Sequence, residues 1–323
     1  MSMTPALDPE PEPLTEASLP SPWDALQAWQ RGDVGASDVS ALADLSRADA
    51  ELLAQRWPAL GEETRIAVAR TMGELAEERF DLHFGRALRL MLDDPSATVR
   101  QLAVAALWED EGADLPGRLL TIIAADPSQD VVAQAIQSLA ATSERVAMSE
   151  IGPDQARHIA AILLGTADDV SLAPTVRRRA LEVGAVCGDV GRVTHLIEEF
   201  YEADEPGFRA SAVYAMGRTA DRRWLPQILS EFRDDDAELR FEAARAAGEL
   251  GDSSVLPGLI ELAADEDPEV RQAAIGAIGH IGGRAGVRAL EHLAANAGES
   301  DADAIEEARL EAETSVDPLT VER

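Results

Sequence analysis

The chain has 323 residues, 46% of them hydrophobic but only 4% aromatic, and it carries 60 Asp plus Glu against 28 Lys plus Arg, a net charge of −32. A surface this acidic repels phosphate backbones and anionic lipid, which argues against nucleic-acid and membrane partners and leaves either a solvated surface or a docking face for a basic partner. The single cysteine, Cys187, excludes an intramolecular disulfide and a cysteine metal cluster; no apolar run approaches the ~20 residues of a membrane helix, and the N-terminus lacks the pattern of a signal peptide, so the expected setting is the cytoplasm.

Residues 1–22 place Pro5, Pro9, Pro11, Pro13, Pro20 and Pro22 among acidic and small residues, the composition of an extended, disordered tail. Residues 23–60 predict three irregular capping helices. The first begins near Pro22, with Trp23 and Trp29 as packing anchors; the second is capped by Asp38 and runs through Val39, Leu42 and Leu45; the third is capped by Ser46 and runs through Leu52, Leu53 and Trp57 to Pro58. A repeating region follows over 61–296, and 297–323 reads as an acidic capping helix, Asp301–Ala312, with a frayed end at Ser315–Arg323.

The repeat is clearest in Asp236–Asp267. Asp236 caps a helix whose Leu239, Ala243, Ala246, Ala247 and Leu250 share one face; Gly251-Asp252 stops it, and Val255, Leu256, Leu259, Ile260 and Leu262 form a second apolar face. Asp267-Pro-Glu-Val-Arg271 then restarts the pattern. Aligned on the Arg, or on Val132 where Arg is replaced, the anchors are 65, 100, 132, 177, 209, 240 and 271, with intervals of 35, 32, 45, 32, 31 and 31 residues. A small residue recurs three positions later, and Gly73, Gly217, Gly248 and Gly279 stand eight later. Two helices with one apolar face each cannot bury themselves alone, but a stack of such pairs can.

Asp267-Pro-Glu-Val-Arg-Gln-Ala-Ala-Ile-Gly-Ala-Ile-Gly and its copies resemble HEAT repeats, of the short kind named after phycobilisome lyases. The resemblance implies an all-α solenoid, a right-handed superhelix of about seven helix pairs with irregular capping helices. It also implies a ladder of Asp–Arg contacts between successive loops, each worth only ~0–1 kcal/mol if exposed. The 45-residue interval carries about 13 residues more than the period allows, Thr142 to Gln155, which predicts an elongated loop or a lengthened first helix before the helix containing His158–Leu164.

No catalytic constellation is legible. His83, His158, His195, His280 and His292 are scattered, and there is no phosphate loop, nucleophile elbow or Cys-x-x-Cys. Two enzyme families share such repeats. Deoxyhypusine hydroxylase holds iron through His-Glu dipeptides, but here His280 precedes Ile281 and His292 precedes Leu293; for the phycobilin lyases, no residue identifies a bilin site. The expectation is therefore no catalytic residue, no metal and no cofactor.

What remains is a surface. In HEAT stacks the helix carrying Val-Arg lines the concave side, and at 100° per residue its outward positions are +1, +5, +8 and +9 from the Arg. This ridge carries Ile66, Arg70 and Glu74, Gln101 and Glu109, then Arg178 and Glu182, Tyr214 and Arg218, Phe241, Arg245 and Glu249, and His280. Aromatic and Arg residues are the usual interface anchors. Arg178, Glu182, Tyr214, Arg218, Phe241, Arg245 and His280 are thus the candidate partner-binding residues of a scaffold that holds another protein or an extended peptide. Trp108 and Trp224, near turns, read as packing residues.

Overall fold

The computed structural model describes residues 21–31, 34–108, 110, 112–295, 298 and 301–314, and every regular element among them is helical. In chain order these are α1 (Pro22–Gln30), α2 (Ala36–Ser40), α3 (Arg47–Arg56), α4 (Glu62–Glu78), α5 (Gly85–Met91), α6 (Ala97–Ala106), α7 (Leu115–Ala125), α8 (Gln129–Ser138) and α9 (Ala140–Ala147). They continue with α10 (Pro153–Asp168), α11 (Pro174–Gly184), α12 (Val190–Glu202), α13 (Phe208–Arg218), α14 (Leu225–Glu231), α15 (Ala237–Leu250), α16 (Leu256–Leu262), α17 (Pro268–Ile281), α18 (Gly283–Ala294) and α19 (Ala302–Thr314). The chain falls into two compact units, residues 1–119 and 120–323. The tail expected over 1–22 lies outside the described residues except for Ser21 and Pro22, which cap and begin α1; Glu109 and Ser315–Arg323 lie outside them too.

In the first unit, Ser46 caps α3 by accepting the Asp49 N–H at 3.1 Å, as its position predicts. Asp38 does not cap α2: it sits inside the first turn, and Gly35 occupies the cap position. Trp29 is buried as expected, whereas Trp23 is 42% exposed, with the Arg56 guanidinium 5.3 Å from its ring. Trp108 is not a packing residue either, being 56% exposed, whereas Trp224 in the second unit is buried. Helices α4 and α6 are the first helices of two repeats and pack side by side.

In the second unit the first helices α11, α13, α15 and α17 lie in sequence, each against the next, and α19 closes the row on α17 and α18. The expected acidic cap thus works as an apolar one, burying Ile305, Ala308 and Ala312. Asp236 and Asp267 cap α15 and α17, accepting backbone N–H groups at 2.9 and 2.8 Å. The row is set by the glycines at position +8, which the helical wheel places outward. They are instead where consecutive first helices touch. A Cβ on Gly217 would lie 2.6 Å from the Ala246 Cα, one on Gly248 3.0 Å from the Ala277 Cα, and one on Gly279 2.9 Å from the Ala308 Cα. Backbone-to-backbone contact tilts the outward face of each helix away from +8, and only a residue without a side chain permits it.

The Asp–Arg ladder forms, and the rungs of Arg65, Arg240 and Arg271 are largely buried rather than exposed pairs. Arg240 donates to both Asp265 oxygens at 2.8 and 2.9 Å and to the Asp234 and Asp235 carbonyls behind it. Arg271 repeats this with the Asp265 and Glu266 carbonyls and with Asp301. In the first unit Arg65 donates to Asp94 at 2.9 Å, and Asp94 also accepts the Trp57 indole N–H at 2.6 Å and the Ser96 N–H at 2.8 Å. The Asp94 side chain is completely buried and that of Arg65 is 9% exposed. Each such Asp ends one turn and receives the Arg of the preceding repeat, so the ladder fixes the angle between repeats. Arg177 departs from the pattern: it donates to the Ala167 carbonyl and lies 5.3 and 5.0 Å from the rings of Phe200 and Phe208, which stack with centroids 4.3 Å apart.

The insertion is neither a loop nor a simple lengthening. The helix breaks at Leu139 and resumes as the separate segment α9, which packs on α8 and α11.

Candidate functional site

The outward residues of α11, α13 and α15 meet in a groove of about 250 Å³ lined by Arg178, Glu182, Ser211, Tyr214, Glu238, Glu242 and Arg245, together with Ala210. Three first helices in a row supply it because the spacing of 31 to 32 residues brings the same wheel positions into line on each. Arg178 donates to the Ser211 hydroxyl at 2.8 Å and to Glu238 at 3.1 Å, and Ser211 donates to Glu182. Room for the Arg178 guanidinium comes from Gly207, at φ 78°, where a Cβ would fall 2.1 Å from it.

Arg245 lies 5.3 Å from the Tyr214 ring and 5.6 Å from the Phe241 ring, with one of its nitrogens 3.5 Å from Glu242. Both aromatics are half-buried under this guanidinium, neither fully packed nor free. Arg218 pairs with Glu144 of α9 and stands 3.7 Å from Glu249. His280 is not brought to the groove; it faces Glu311 of α19 at 3.3 Å. The wheel reading therefore finds Arg178, Glu182, Tyr214 and Arg245 in the groove and Phe241 and Arg218 at its edge; His280 is outward and exposed, as the wheel has it, but away from the groove. It misses Ser211 and Glu242, which lie one residue past the outward position +1, Glu238, which precedes the Arg by two residues, and Glu144, which belongs to the insertion and has no place in the repeat.

Burial pushes the Tyr214 hydroxyl above its ordinary range, with Arg218 and Arg245 pulling it back. Glu242 is the more perturbed group. Burial, with the charges of Glu182 and Glu238 adding to it, pushes its carboxyl up to about 7 despite the opposing pull of Arg245 and Arg178. The folded chain holds this proton more tightly than the unfolded chain, so its stabilising effect is fully present below pH 4.5 and is lost as pH rises through about 7. Glu242→Gln is expected to leave stability unchanged at pH 4 and to raise it at pH 8 by on the order of 2–3 kcal/mol, read from urea midpoints at the two pH values. Equal effects at both would remove the assigned titration.

Among the described residues no group of three or more His, Cys, Asp or Glu could hold a metal ion, and no helix is long and apolar enough to cross a membrane. Chemically the groove is a set of paired charges against two aromatic faces, an arrangement suited to recognition.

Residues 193–265 and 225–312 match the family model described as HEAT repeats. Among curated proteins, none matches the chain by sequence. Among solved structures, importin beta aligns with a TM-score of 0.51 at 12% identity, over 91% of this chain and 47% of that one, so the chain spans about half its length. YibA of E. coli aligns at TM-score 0.43 and 17% identity over 94% and 99% of the two chains, and human deoxyhypusine hydroxylase at 0.35 and 19% over 82% and 96%. The importin beta likeness speaks to the fold alone. Paired helices recurring every 31 to 32 residues from position 177 on, the glycine contacts between them and the family match lead to one conclusion: residues 193–312 of this chain are HEAT repeats in an all-α solenoid.

Proposed function

We propose that the chain is a non-catalytic scaffold that holds another protein, or an extended peptide, along the face formed by the first helices of its repeats, in the cytoplasm. The observation that carries this reading is the convergence of Arg178, Glu182, Tyr214 and Arg245 from three successive repeats on one groove, with Phe241 at its edge under Arg245. A surface assembled this way extends over several repeats and suits an extended ligand. The short 31-residue period supports the phycobilisome-lyase kind of repeat as the finer assignment.

The test replaces Tyr214, Phe241 and Arg245 with alanine and repeats affinity purification from host lysate with mass spectrometry. The variant is expected to keep its helical signal and lose at least tenfold of the partner, about 1.4 kcal/mol. Undiminished recovery with an intact fold rejects this face. Stoichiometric iron or a bound chromophore in the purified protein would reject the non-catalytic reading.

A further inference from the structure

The groove has a property that its arginines conceal in the sequence. On so acidic a chain they suggest a basic strip, yet each is engaged at home: Arg178 with Ser211 and Glu238, Arg218 with Glu144, Arg245 with Glu242 and two rings. What the groove is short of is positive charge. Glu182, Glu238 and Glu242 line it against Arg178 and Arg245. Tyr214 joins them on the wall. The chain itself displays the kind of group that fits: the Arg245 side chain is 46% exposed, and its guanidinium lies over the Tyr214 and Phe241 faces beside a carboxylate.

We propose that this groove takes the cationic side chain, an arginine guanidinium or a lysine ammonium, of a basic peptide segment, and that its docking expels the proton of Glu242 into solvent. This deepens the scaffold reading and rests on it. The incoming cation lies among Glu182, Glu238 and Glu242 alongside Arg245 and supplies the charge that makes the ionised Glu242 favourable. The groups facing Glu242 are Glu182 and Arg178 of α11, Tyr214 of α13, and Glu238 and Arg245 of its own helix. On the other helices packed against α15, Glu231 of α14 binds Arg209 and Tyr201, Glu261 of α16 pairs with Arg233, Arg271 and His280 of α17 pair with Asp301 and Glu311, and Glu269 sits in the first turn of α17.

A carboxyl that titrates at about 7 is roughly one-tenth ionised at pH 6 and nine-tenths at pH 8. The full-length chain is titrated calorimetrically with a hexa-arginine peptide at pH 6 and pH 8, at physiological salt and in two buffers of different ionisation enthalpy. The peptide is expected to bind up to about tenfold tighter at pH 8 and to release up to about half a proton per site at pH 7, where Glu242 is already half ionised before docking. Glu242→Gln should lower the pH 8 affinity to near the pH 6 value and abolish the proton release, whereas Glu51→Gln, which removes the same charge from exposed α3, should change neither. Proton release that survives Glu242→Gln, equal losses in both variants, no binding of hexa-arginine, or preferential binding of hexa-glutamate would each overturn the proposal. Those outcomes concern the ligand's charge. The scaffold reading is judged separately, by partner recovery with Tyr214, Phe241 and Arg245 replaced.

Discussion

Asp94→Ala is expected to destabilise the unit of residues 1–119 by about 3–5 kcal/mol, a large fraction of the roughly 5–15 kcal/mol by which a domain is ordinarily stable. The substitution leaves the Arg65 guanidinium buried without its carboxylate, frees the Trp57 indole N–H and removes the cap on the Ser96 N–H. An exposed ion pair has no comparable effect because water replaces the lost partner. Arg47→Ala, which breaks an exposed pair with Glu51 in the same unit, should leave the urea midpoint essentially where it was. If the two variants unfold alike, the Asp94 cluster does not fix the join between the capping helices and the first repeat. Replacing Arg65 and Asp94 together by apolar residues should cost less than Asp94→Ala alone, since the penalty is the stranded charge.

The second large effect is a reversal of sign at two glycines in the same position of the repeat. Alanine in place of glycine inside a helix normally stabilises by about 0.5–1 kcal/mol. At Gly73 the added methyl would meet the Ala106 Cβ at 3.7 Å, an ordinary contact, so Gly73→Ala should be stabilising by that amount. At Gly217 it would meet the backbone of α15, 2.6 Å from the Ala246 Cα and 2.9 Å from its Cβ. Neither atom can swing away, so α13 and α15 must separate, and Gly217→Ala should destabilise by about 1–3 kcal/mol. Urea unfolding of the two variants reads the difference; a stabilising Gly217→Ala would mean that the repeats slide freely past one another. Because the groove spans α11, α13 and α15, Gly217→Ala should also weaken partner capture without touching a lining residue.

The sequence by itself determined the local structure and the kind of architecture. Helix positions follow from caps and from apolar residues at helical spacing, as at Asp236, Asp267 and Ser46, and the interval of 31 to 32 residues over the last three steps states that one unit is stacked on the next. These are short-range properties: a cap acts within three residues, and an apolar face is complete within one helix. The same arithmetic brought Arg178, Glu182, Tyr214 and Arg245 to one face. What only the tertiary structure decided is how the faces meet. The glycines at +8 look outward on a wheel and turn out to be contact points, because the wheel has no second helix in it. Arg178, Arg209 and Arg218 look free and prove paired, because their partners are 22 to 74 residues distant, as with Arg209 and Glu231 or Arg218 and Glu144. The perturbed carboxyl of Glu242 arises from burial and from charges on neighbouring helices, and those distances do not exist until the repeats are packed.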